Sequence, residues 1–473
     1  MSAWSLAGAV MTCCVLASGG CAPTSTDSSI TEMKRAAQEK QPNIVVLFAD
    51  DLAWMDLGHY SDFIETPNLD KLRLESTSFE RAYAAAPVCS PSRVGMITGQ
   101  HPARHEFFRH VGAGDKSQFD KNGRTIDAYH MLDTDPAHMP SRNWLPLEAV
   151  TVAERLKDVG YNTSFVGKWH IGHEPYYPIK QGFDEQFGVT NDGHPGKGYY
   201  PPYFRHNPAK TYGDAPKDKF LTDRITDDAV QVLERLSAKE EPFFLNLWYY
   251  GVHKPIDGRK DLIEKYKQRG ISQEQAEYAS MVEALDESVG RISAKLDALG
   301  LRDDTILVFT SDQGGFFDRA PLKGRKTDGL ALFEGGARVP MFVRWPQHYP
   351  AGKEIKTPVT TLDVAPTILA PAHANLDDLD GVKLAAHLGE DLDRPQPVIM
   401  YRHYEDLYAA VVVGDMKLLA SVSGKHQLYN VVTDISEAHD LAREQPETVA
   451  DMLAILEAWK DKNHIKRFAQ AQN

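Results

Sequence analysis

Cys89 and its neighbours form the segment of the sequence best suited to covalent chemistry. The segment is Cys89-Ser90-Pro91-Ser92-Arg93, in which Ser90 is a favourable helix N-cap and Pro91 suits the first helical position. Cys89 would then lie just before a helix N-terminus, where the helix dipole favours negative charge. Arg93 could reach back to residue 89, because helical side chains lean toward the N-terminus. A nucleophilic thiolate is one interpretation, and a buried, unreactive thiol is the alternative.

Oxygen donors suited to a metal ion occur as two short pairs. Asp50 is followed directly by Asp51, and Asp312 is followed directly by Gln313. Adjacent carboxylates repel each other unless a cation lies between them. The set offers only hard oxygen ligands, which favour Ca²⁺ or Mg²⁺ over zinc. For Asp50-Asp51 alone, a helix N-cap followed by a first-turn acid is the simpler alternative.

These residues and several others are preceded by four apolar runs. The runs have the character of buried parallel strands. The runs are 43–49, 162–166, 242–250 and 305–309. Polar residues able to do chemistry follow them in turn: Asp50 and Asp51, Lys168 and His170, His253, and Asp312 and Gln313. Since ligands bind at the carboxyl ends of strands in open α/β sheets, we expect these side chains to share one crevice.

Helical patterns between the apolar runs complete an α/β prediction. The clearest pattern places apolar residues three and four positions apart from Val282 to Leu299, and Gly300 then supplies a stop. Strands that alternate with helices predict a mainly parallel central sheet with helices on both faces. We therefore expect a catalytic domain over residues 42–395.

The sequence after residue 395 has a different pattern. Four short strand candidates are separated by turns, and a single helix is predicted over residues 446–460. This pattern predicts a small antiparallel sheet with one helix. We therefore expect a C-terminal α+β subdomain over residues 396–473.

The first 21 residues differ from the remainder of the chain. No charged residue occurs from Trp4 to Cys21, and the apolar run Leu6 to Leu16 has the length of a signal-peptide core. Small residues then lead into Cys21, as they do at a bacterial lipoprotein cleavage site. We predict a leader over residues 1–21 and a flexible tether over residues 22–41, with export to the periplasm. Lipidation of Cys21 would anchor the protein to the outer membrane.

Cysteine usage and net charge restrict the possible functions. Of four cysteines, only Cys89 lies beyond the leader, so an exported body has no intrachain disulfide framework. The formal net charge of −14 argues against nucleic acid as a partner. An anionic substrate would therefore have to be attracted by a local cluster of lysine, arginine and histidine.

The segment around Cys89 also resembles a known family. Cys-x-Pro-x-Arg is the pattern that is oxidised to formylglycine in the type I sulfatases. Further segments resemble that family in the same order: 42–44 with Asp50-Asp51, 66–70, 167–170, 253–255, 310–312, 333–336, and 428–430 with Asp434 and Glu437. The resemblance covers roughly residues 42–460. It implies the alkaline-phosphatase-like fold with a small C-terminal subdomain, and sulfate ester hydrolysis as the activity.

The resemblance also implies a calcium site and a sequence of proton transfers. One Ca²⁺ would be coordinated by oxygens of five residues: Asp50, Asp51, Asp312, Gln313 and the modified Cys89. The formylglycine would hydrate to a gem-diol, and one hydroxyl would attack sulfur with Asp312 as base. His253 would help the alcohol leave, and His170 would deprotonate the second hydroxyl so that sulfate is expelled. Three cations would hold the diol and the sulfate oxygens: Arg93, Lys168 and Lys326.

Two positions depart from the family pattern. Residue 313 is Gln where the family usually has Asn or sometimes His, so its carbonyl oxygen lies one methylene further out. The sulfate-binding lysine usually lies a few residues before Glu-Gly-Gly, and here the candidates Lys323 and Lys326 come slightly early. We favour Lys326 over Lys323.

The expected substrate is a sulfated carbohydrate. Aromatic residues crowd the loops after His170, where sugar stacking and ordinary loop packing are both open: Tyr176, Tyr177, Tyr199, Tyr200, Tyr203 and Phe204. The expected partner in maturation is a formylglycine-generating or anaerobic sulfatase-maturating enzyme. One alternative function is a formylglycine-dependent phosphodiester or phosphonate monoester hydrolase. The other is a catalytically inactive lipoprotein that binds glycans.

Overall fold

The central sheet is built from the apolar runs identified in the sequence. The computed structural model describes residues 40–111, 128–130, 140–204, 212–213, 215–388, 394–403 and 405–465. The predicted leader over residues 1–21 lies outside the described residues, as does the predicted tether apart from residues 40 and 41. None of the described helices combines the length and apolar character needed to cross a bilayer.

Seventeen strands and nine α-helices are used below. The strands are β1 (Asn43–Ala49), β2 (Thr77–Phe79), β3 (Ala82–Tyr83), β4 (Tyr129–His130), β5 (Ser141–Arg142), β6 (Asn162–Gly167), β7 (Glu185–Phe187), β8 (Phe243–Trp248), β9 (Thr305–Ser311), β10 (Arg338–Val339), β11 (Met341–Arg344), β12 (Lys353–Ile355), β13 (Val359–Thr360), β14 (Val398–Tyr401), β15 (Leu407–Val413), β16 (Met416–Ser421) and β17 (Gln427–Asn430). The α-helices are α1 (Pro67–Leu74), α2 (Cys89–Thr98), α3 (Val152–Lys157), α4 (Leu221–Ser237), α5 (Lys260–Lys267), α6 (Gln273–Ala298), α7 (Glu334–Ala337), α8 (Val364–Leu369) and α9 (Pro446–Lys462).

The main sheet has eight strands in the order β12-β2-β11-β9-β1-β8-β6-β7. The five strands from β9 to β7 are parallel to one another. At the other side, β11 pairs antiparallel with both β9 and β2, and β12 pairs parallel with β2. The four predicted strands occupy adjacent positions in the parallel part, so their carboxyl ends lie at one edge.

Both faces of the main sheet are covered by apolar side chains. Val45 and Leu47 of β1 belong to one buried cluster, whereas Ile44, Val46 and Phe48 belong to another. Successive residues of a strand point to opposite faces, so this division places one core on each side of the sheet. Burial on both faces explains why the strand is continuously apolar rather than alternating.

Helix α6 shows how the local sequence forms the layer over one of these faces. The Ser272 hydroxyl accepts a hydrogen bond from the backbone N–H of Gln275, and Gln275 Oε1 accepts one from the backbone N–H of Ser272, so the helix begins with a capping box. Gly300, with φ of 69°, follows the end of the helix as predicted. The predicted apolar stripe is fully buried from Val282 to Leu296, and its last residue, Leu299, is partly buried.

The C-terminal sheet is a four-stranded antiparallel meander in the order β14-β15-β16-β17. Helix α9 packs against β15 and β16 through Met452 and Leu456, which lie in the same buried cluster as Val411 and Leu418. The predicted fold class, a mainly parallel α/β sheet with a small antiparallel sheet and one helix, is therefore confirmed. The described residues from Pro42 onward form one compact unit, and its division at residue 395 stays a prediction.

One local prediction was wrong. The sequence placed Cys89 before the helix with Ser90 as N-cap, but α2 already includes Cys89, and Val88 is the N-cap residue. The Ser90 hydroxyl instead donates to the backbone carbonyl of His170 at 2.8 Å and accepts from the backbone N–H of Val111 at 3.0 Å. Because these contacts use the hydroxyl, it is not engaged in capping the helix.

Candidate active site

The carboxyl ends of four adjacent strands hold most of the predicted functional residues. In the sheet, β9, β1, β8 and β6 lie side by side. They are followed by Asp312 and Gln313, by Asp50 and Asp51, by His253, and by Lys168 and His170, respectively. All of these side chains are buried except that of His253, which is 16% exposed. These side chains therefore meet at one edge of the sheet, as predicted, and the space between them is called the crevice below.

Three carboxylates converge at the centre of this crevice. Asp50, Asp51 and Asp312 each offer an oxygen, and these oxygens all lie within 4.8 Å of one another. Asp51 has a φ of 63°, and its backbone N–H donates to Asp312 Oδ1 at 3.1 Å. The side-chain amide of Gln313 donates to Asp51 Oδ1 at 2.7 Å. Asp51 is therefore held against both residues that follow β9.

The electrostatics and unmet hydrogen bonds of this group fit a hard divalent cation. Asp50 Oδ1 and Gln313 Oε1 are buried, and neither accepts a hydrogen bond from any described residue. Burial raises the pKa of Asp51, and burial together with Asp50 raises the pKa of Asp312 to about 6. A cation among these oxygens would offset both effects, because it favours the ionised carboxylates. Oxygen-only ligation suits calcium or magnesium.

Cys89 lies at the first turn of α2 and faces His170. Its Sγ is 3.5 Å from His170 Nδ1, and the residue is 4% exposed. Burial raises the pKa of the Cys89 thiol, and Asp50 and Asp312 add to this effect, although Lys168 and Lys326 oppose it. The site therefore disfavours a thiolate, which weakens the interpretation of Cys89 as an unmodified thiol nucleophile.

Arg93 and Lys168 bring positive charge to the carboxylates. Arg93, four residues after Cys89 in α2, places its guanidinium 3.0 Å from Asp312 Oδ2 and 3.4 Å from Asp50 Oδ1. Lys168 Nζ donates to Asp50 Oδ2 at 2.5 Å. All four groups are fully buried, so their attraction is weakly screened by solvent.

The structure distinguishes the two candidate sulfate-binding lysines. Lys326 Nζ lies 2.6 Å from the Asp51 carboxylate, at the centre of the site. Lys323 Nζ instead donates to the backbone carbonyl of Glu437 at 3.2 Å and lies 4.3 Å from the centroid of the Phe333 ring. Of these two lysines, Lys326 faces the crevice and Lys323 faces the C-terminal sheet.

His170 is placed to exchange a proton with a group at position 89. Its φ of 55° turns the chain sharply after β6, and its Nδ1 is also 3.3 Å from Ser90 Oγ. Gly193 packs against the ring so closely that a Cβ there would lie 2.5 Å from it, so another residue at position 193 would displace the ring. Burial, with a further contribution from Lys168, lowers the pKa of His170 well below its usual value and keeps the imidazole neutral.

His253 lies beside Asp51 at the more open side of the crevice. Its Nε2 is 3.5 Å from Asp51 Oδ2, and its Nδ1 is 2.7 Å from the carbonyl oxygen of Lys254. That carbonyl can only accept, so Nδ1 carries the proton and Nε2 is directed to the site. Burial lowers the pKa of His253, and the nearby Lys326 lowers it further.

Phe316 is a residue of the site that the sequence did not identify. Its half-buried ring lies beneath Lys326 Nζ at 4.6 Å and Lys254 Nζ at 4.7 Å, and its edge meets the His253 ring at 5.4 Å. The sequence offered one indication of its role, since this aromatic residue comes directly after the Gly-Gly pair that follows β9. His194 was also missed, and its ring stacks on His253 at 5.4 Å.

Three of the six aromatic residues considered for sugar stacking are packed inside the protein. Tyr199, Tyr203 and Phe204 are fully buried, so for these three ordinary loop packing is the correct interpretation. The Tyr199 hydroxyl donates to the carbonyl of Tyr250 at 2.6 Å and lies 2.8 Å from that of His253. Tyr199 thus supports the backbone at His253.

The arrangement has the components needed to transfer an anionic group. Buried lysine and arginine side chains can stabilise negative charge that develops on the group being transferred. Neutral histidines lie beside position 89 and beside Asp51, where they can accept or donate protons. Clustered carboxylates can hold the metal ion that such chemistry often uses.

Comparison with known proteins identifies the family. A sequence model of the Sulfatase family matches residues 42–374. The N-acetylgalactosamine-6-sulfatase of Canis lupus familiaris is 31% identical over 81% of this chain and 72% of that protein. A protein named Sulfatase from Formosa agariphila is 28% identical over 94% of this chain and 93% of its own length.

A solved structure agrees with this assignment. The crystal structure of Ps i-CgsB in complex with k-i-k-neocarrahexaose has a TM-score of 0.77 to this chain. The two are 29% identical, and the match covers 90% of this chain and 94% of Ps i-CgsB. The alkaline-phosphatase-like fold implied by the sequence is thereby confirmed. The chain belongs to the sulfatase family and is a sulfuric ester hydrolase.

Proposed function

We propose that this protein hydrolyses the sulfate ester of a sulfated carbohydrate, with Cys89 converted to formylglycine and with one bound calcium ion. The observation that carries the proposal is the position of Cys89. Its side chain lies at the start of buried helix α2, 3.5 Å from a neutral His170 and beside three converging carboxylates. A thiol there has a raised pKa, whereas a hydrated aldehyde would offer two hydroxyl groups in the same place.

The calcium ion would be held by Asp50, Asp51, Asp312, Gln313 and an oxygen of the modified residue 89. When bound, it would neutralise the carboxylates and make a hydroxyl at position 89 more acidic. Asp50 Oδ1 and Gln313 Oε1 support this set of ligands, because both are buried and accept no hydrogen bond from the described residues.

The roles proposed for the other residues follow from their positions. Asp312 would accept the proton of the hydroxyl that forms the bond to sulfur. His253 would give a proton to the sugar oxygen as its bond to sulfur breaks, since an anionic sulfate nearby favours the protonated imidazole. His170 would accept the proton of the second hydroxyl, so that the carbon–oxygen bond to sulfate breaks and the aldehyde forms again. Three cations would bind the sulfate oxygens and the hydroxyls: Arg93, Lys168 and Lys326.

The relatives support a carbohydrate as the substrate. One of them is named for the 6-sulfate of N-acetylgalactosamine, and the similar structure of Ps i-CgsB contains a neocarrahexaose. Together with the sequence-based expectation of export, they favour a sulfated sugar outside the cytoplasm. We further propose that a formylglycine-generating or anaerobic sulfatase-maturating enzyme acts on Cys89 and that Cys21 is lipidated.

The test asks whether residue 89 bears an aldehyde and whether turnover requires it. Protein from a host with maturation machinery should give a peptide whose mass shows an aldehyde at position 89, and it should turn over aryl sulfate. Cys89→Ser should lose nearly all multiple turnover, because a serine has no second hydroxyl to expel sulfate. Unmodified wild-type protein from a host without that machinery is the matched control and should be equally inactive. A fully active Cys89→Ser, or a preference for aryl phosphodiester over aryl sulfate, contradicts the proposal.

A further inference from the structure

Lys326 lies on a long loop between β9 and α7, over residues 312–333. Near the site, backbone hydrogen bonds join distant parts of this loop to each other and to the start of α7. The N–H of Lys326 donates to the carbonyl of Gly315 at 2.9 Å, and the N–H of Gly335 donates to the carbonyl of Lys323 at 2.7 Å. The segment between Lys323 and Glu334 is therefore the part whose position decides where Lys326 lies.

Arg402, at the end of β14 in the C-terminal sheet, contacts this segment directly. Its side chain is almost fully buried, and its guanidinium donates to the carbonyl of Gly329 at 3.1 Å. The same group donates to the carbonyl of Leu407 at 3.0 Å and pairs with Glu405. Arg402 thus joins the loop to the first two strands of the C-terminal sheet.

A buried group of charges holds the end of the same loop. Lys417 of β16 lies 2.8 Å from Glu334 Oε1 and 3.0 Å from Glu437 Oε1, and all three side chains are fully buried. Glu437 Oε2 also accepts from the backbone N–H of Glu334 at 2.7 Å. The carbonyl of Glu437 in turn accepts from Lys323 at 3.2 Å.

We infer that Arg402 and Lys417 are positioning residues for Lys326. Arg402 holds the segment at Gly329, three residues after Lys326, and Lys417 holds its end at Glu334. Lys417 also pairs with Glu437, whose carbonyl accepts from Lys323 at the start of the segment. These contacts keep Lys326 Nζ 2.6 Å from Asp51 and over the Phe316 ring. The inference rests on the proposed role of Lys326 in binding sulfate. The C-terminal sheet then contributes to the active site without contacting the substrate through these residues.

Arg402 is the better residue for a test. Removing Lys417 would take away the cation between the buried carboxyls of Glu334 and Glu437, which threatens folding. Arg402→Gln keeps a polar side chain while removing the fork that reaches Gly329. The matched control is Arg81→Gln, because Arg81, which lies between β2 and β3, also contacts the C-terminal sheet. Its guanidinium contacts Gly414 and Asp415, which lie in the turn between β15 and β16 rather than on the Lys326 loop.

The kinetic test uses mature enzyme and aryl sulfate. Arg402→Gln should raise KM and the inhibition constant of inorganic sulfate by about tenfold with little change in kcat, and Arg402→Lys should restore part of the loss. Arg81→Gln should leave both constants near those of the wild type. In a Lys326→Ala background, Arg402→Gln should add no further loss, because its effect passes through Lys326. An unchanged KM for Arg402→Gln, or full additivity with Lys326→Ala, overturns the inference.

A second measurement separates this inference from the proposed function. Amide hydrogen exchange over residues 322–333 should be faster in Arg402→Gln than in wild type, and unchanged in Arg81→Gln. This readout does not require turnover. Unchanged exchange in Arg402→Gln overturns the inference even in an active sulfatase. Wild-type protein that bears the aldehyde but fails to hydrolyse any sulfate ester contradicts the proposed function instead.

Discussion

His253 and Lys326 both lie beside Asp51, yet different chemical tasks are proposed for them. Lys326 Nζ is 2.6 Å from the Asp51 carboxylate, whereas His253 Nε2 is 3.5 Å from it. A lysine that binds sulfate acts on a group common to every substrate. A histidine that protonates the leaving oxygen acts only where that oxygen needs a proton. The two roles can therefore be separated by changing the leaving group.

We predict that His253→Ala will damage turnover of a sulfated sugar far more than turnover of an activated aryl sulfate. The sugar alkoxide is a poor leaving group, so loss of the acid should lower its kcat by about 10²–10³-fold. The aryl oxygen leaves without protonation. Steady-state kinetics on both substrates with one enzyme preparation measure the difference. Equal losses on the two substrates would mean that His253 binds sulfate and that the acid is elsewhere.

We predict that Lys326→Ala will weaken the binding of the sulfated sugar and of the aryl sulfate equally. Loss of one charge-assisted hydrogen bond to sulfate should raise KM by about ten- to a hundredfold. Lys425→Ala, at an exposed lysine of the C-terminal sheet, is the control and should behave as wild type. A harmless Lys326→Ala would show that the lysine assigned across the unusual spacing before Glu-Gly-Gly is the wrong one.

Individual site residues could be predicted to different degrees. The residues directly after strands, such as Asp50 and His253, were found because strand ends converge wherever the sheet is parallel. The choice between Lys323 and Lys326 could be checked only in the structure. Over three residues, a loop can direct a side chain either to the crevice or to the C-terminal sheet. Phe316 was missed because an aromatic residue in a loop carries no pattern that separates packing from function.

At the scale of elements, the junction between α7 and the C-terminal sheet contains buried charges. Burial raises the pKa of Glu437 to about 7, and the negative charge of Glu334 adds to this shift, although Lys417 opposes it. The pKa of Glu334 itself is lowered by Lys417 and Arg338 despite its burial. One carboxyl of the pair therefore titrates near neutral pH, while the other stays ionised.

This junction predicts a pH-dependent stability. A carboxyl whose folded pKa exceeds its usual 4.5 stabilises the fold at low pH, and that contribution is lost as the pH rises through about 7. Glu437→Gln removes the titration. The melting temperature of the variant relative to wild type should therefore increase between about pH 5.5 and about pH 8.5.

Thermal unfolding of matched variants at the two pH values checks this prediction. Glu447→Gln, at an exposed glutamate in the first turn of α9, is the control and should shift the melting temperature equally at both. A relative melting temperature of Glu437→Gln that is constant, or that falls as the pH rises, would contradict the assignment of the titrating group.

The elements themselves were largely predictable. The bounds of β1 were predicted without error, and the strand predicted over 242–250 is observed as β8, because long apolar runs leave few alternatives to a buried strand. The charged group of Glu334, Lys417 and Glu437 was not predicted. Its members are far apart in sequence, and no periodicity connects residues that meet only through tertiary packing.

At the scale of the whole molecule, the proposed metal site and the core are structurally separate. The three carboxylates lie beyond the strand ends, whereas the sheet is held by apolar layers on both faces. Ile306 to Phe309 of β9 are fully buried just before Asp312. The fold should therefore survive loss of the calcium ion that we propose for the catalytic site.

We predict that chelation will abolish activity while leaving most of the secondary structure. The melting temperature should fall only by the contribution of ligand binding, which depends on the free metal concentration. Calcium should restore activity, and zinc should not. Asp312→Ala should be inactive at any calcium concentration, whereas Asp297→Ala, at an exposed aspartate of α6, should be fully active. Restoration by zinc would contradict the assignment of a hard, oxygen-bound cation.

The burial of α2 restricts when the proposed oxidation of Cys89 could take place. Cys89 is 4% exposed, and Ser90, Ser92 and Arg93 beside it have no solvent-accessible surface. An enzyme that oxidises Cys89 needs access to its side chain, and the folded structure leaves almost no surface there for another protein to contact. The proposed oxidation therefore belongs to the nascent or newly exported chain. A molecule that folds before it is oxidised would stay inactive. The yield of active enzyme would then depend on the relative rates of folding and of Cys89 oxidation.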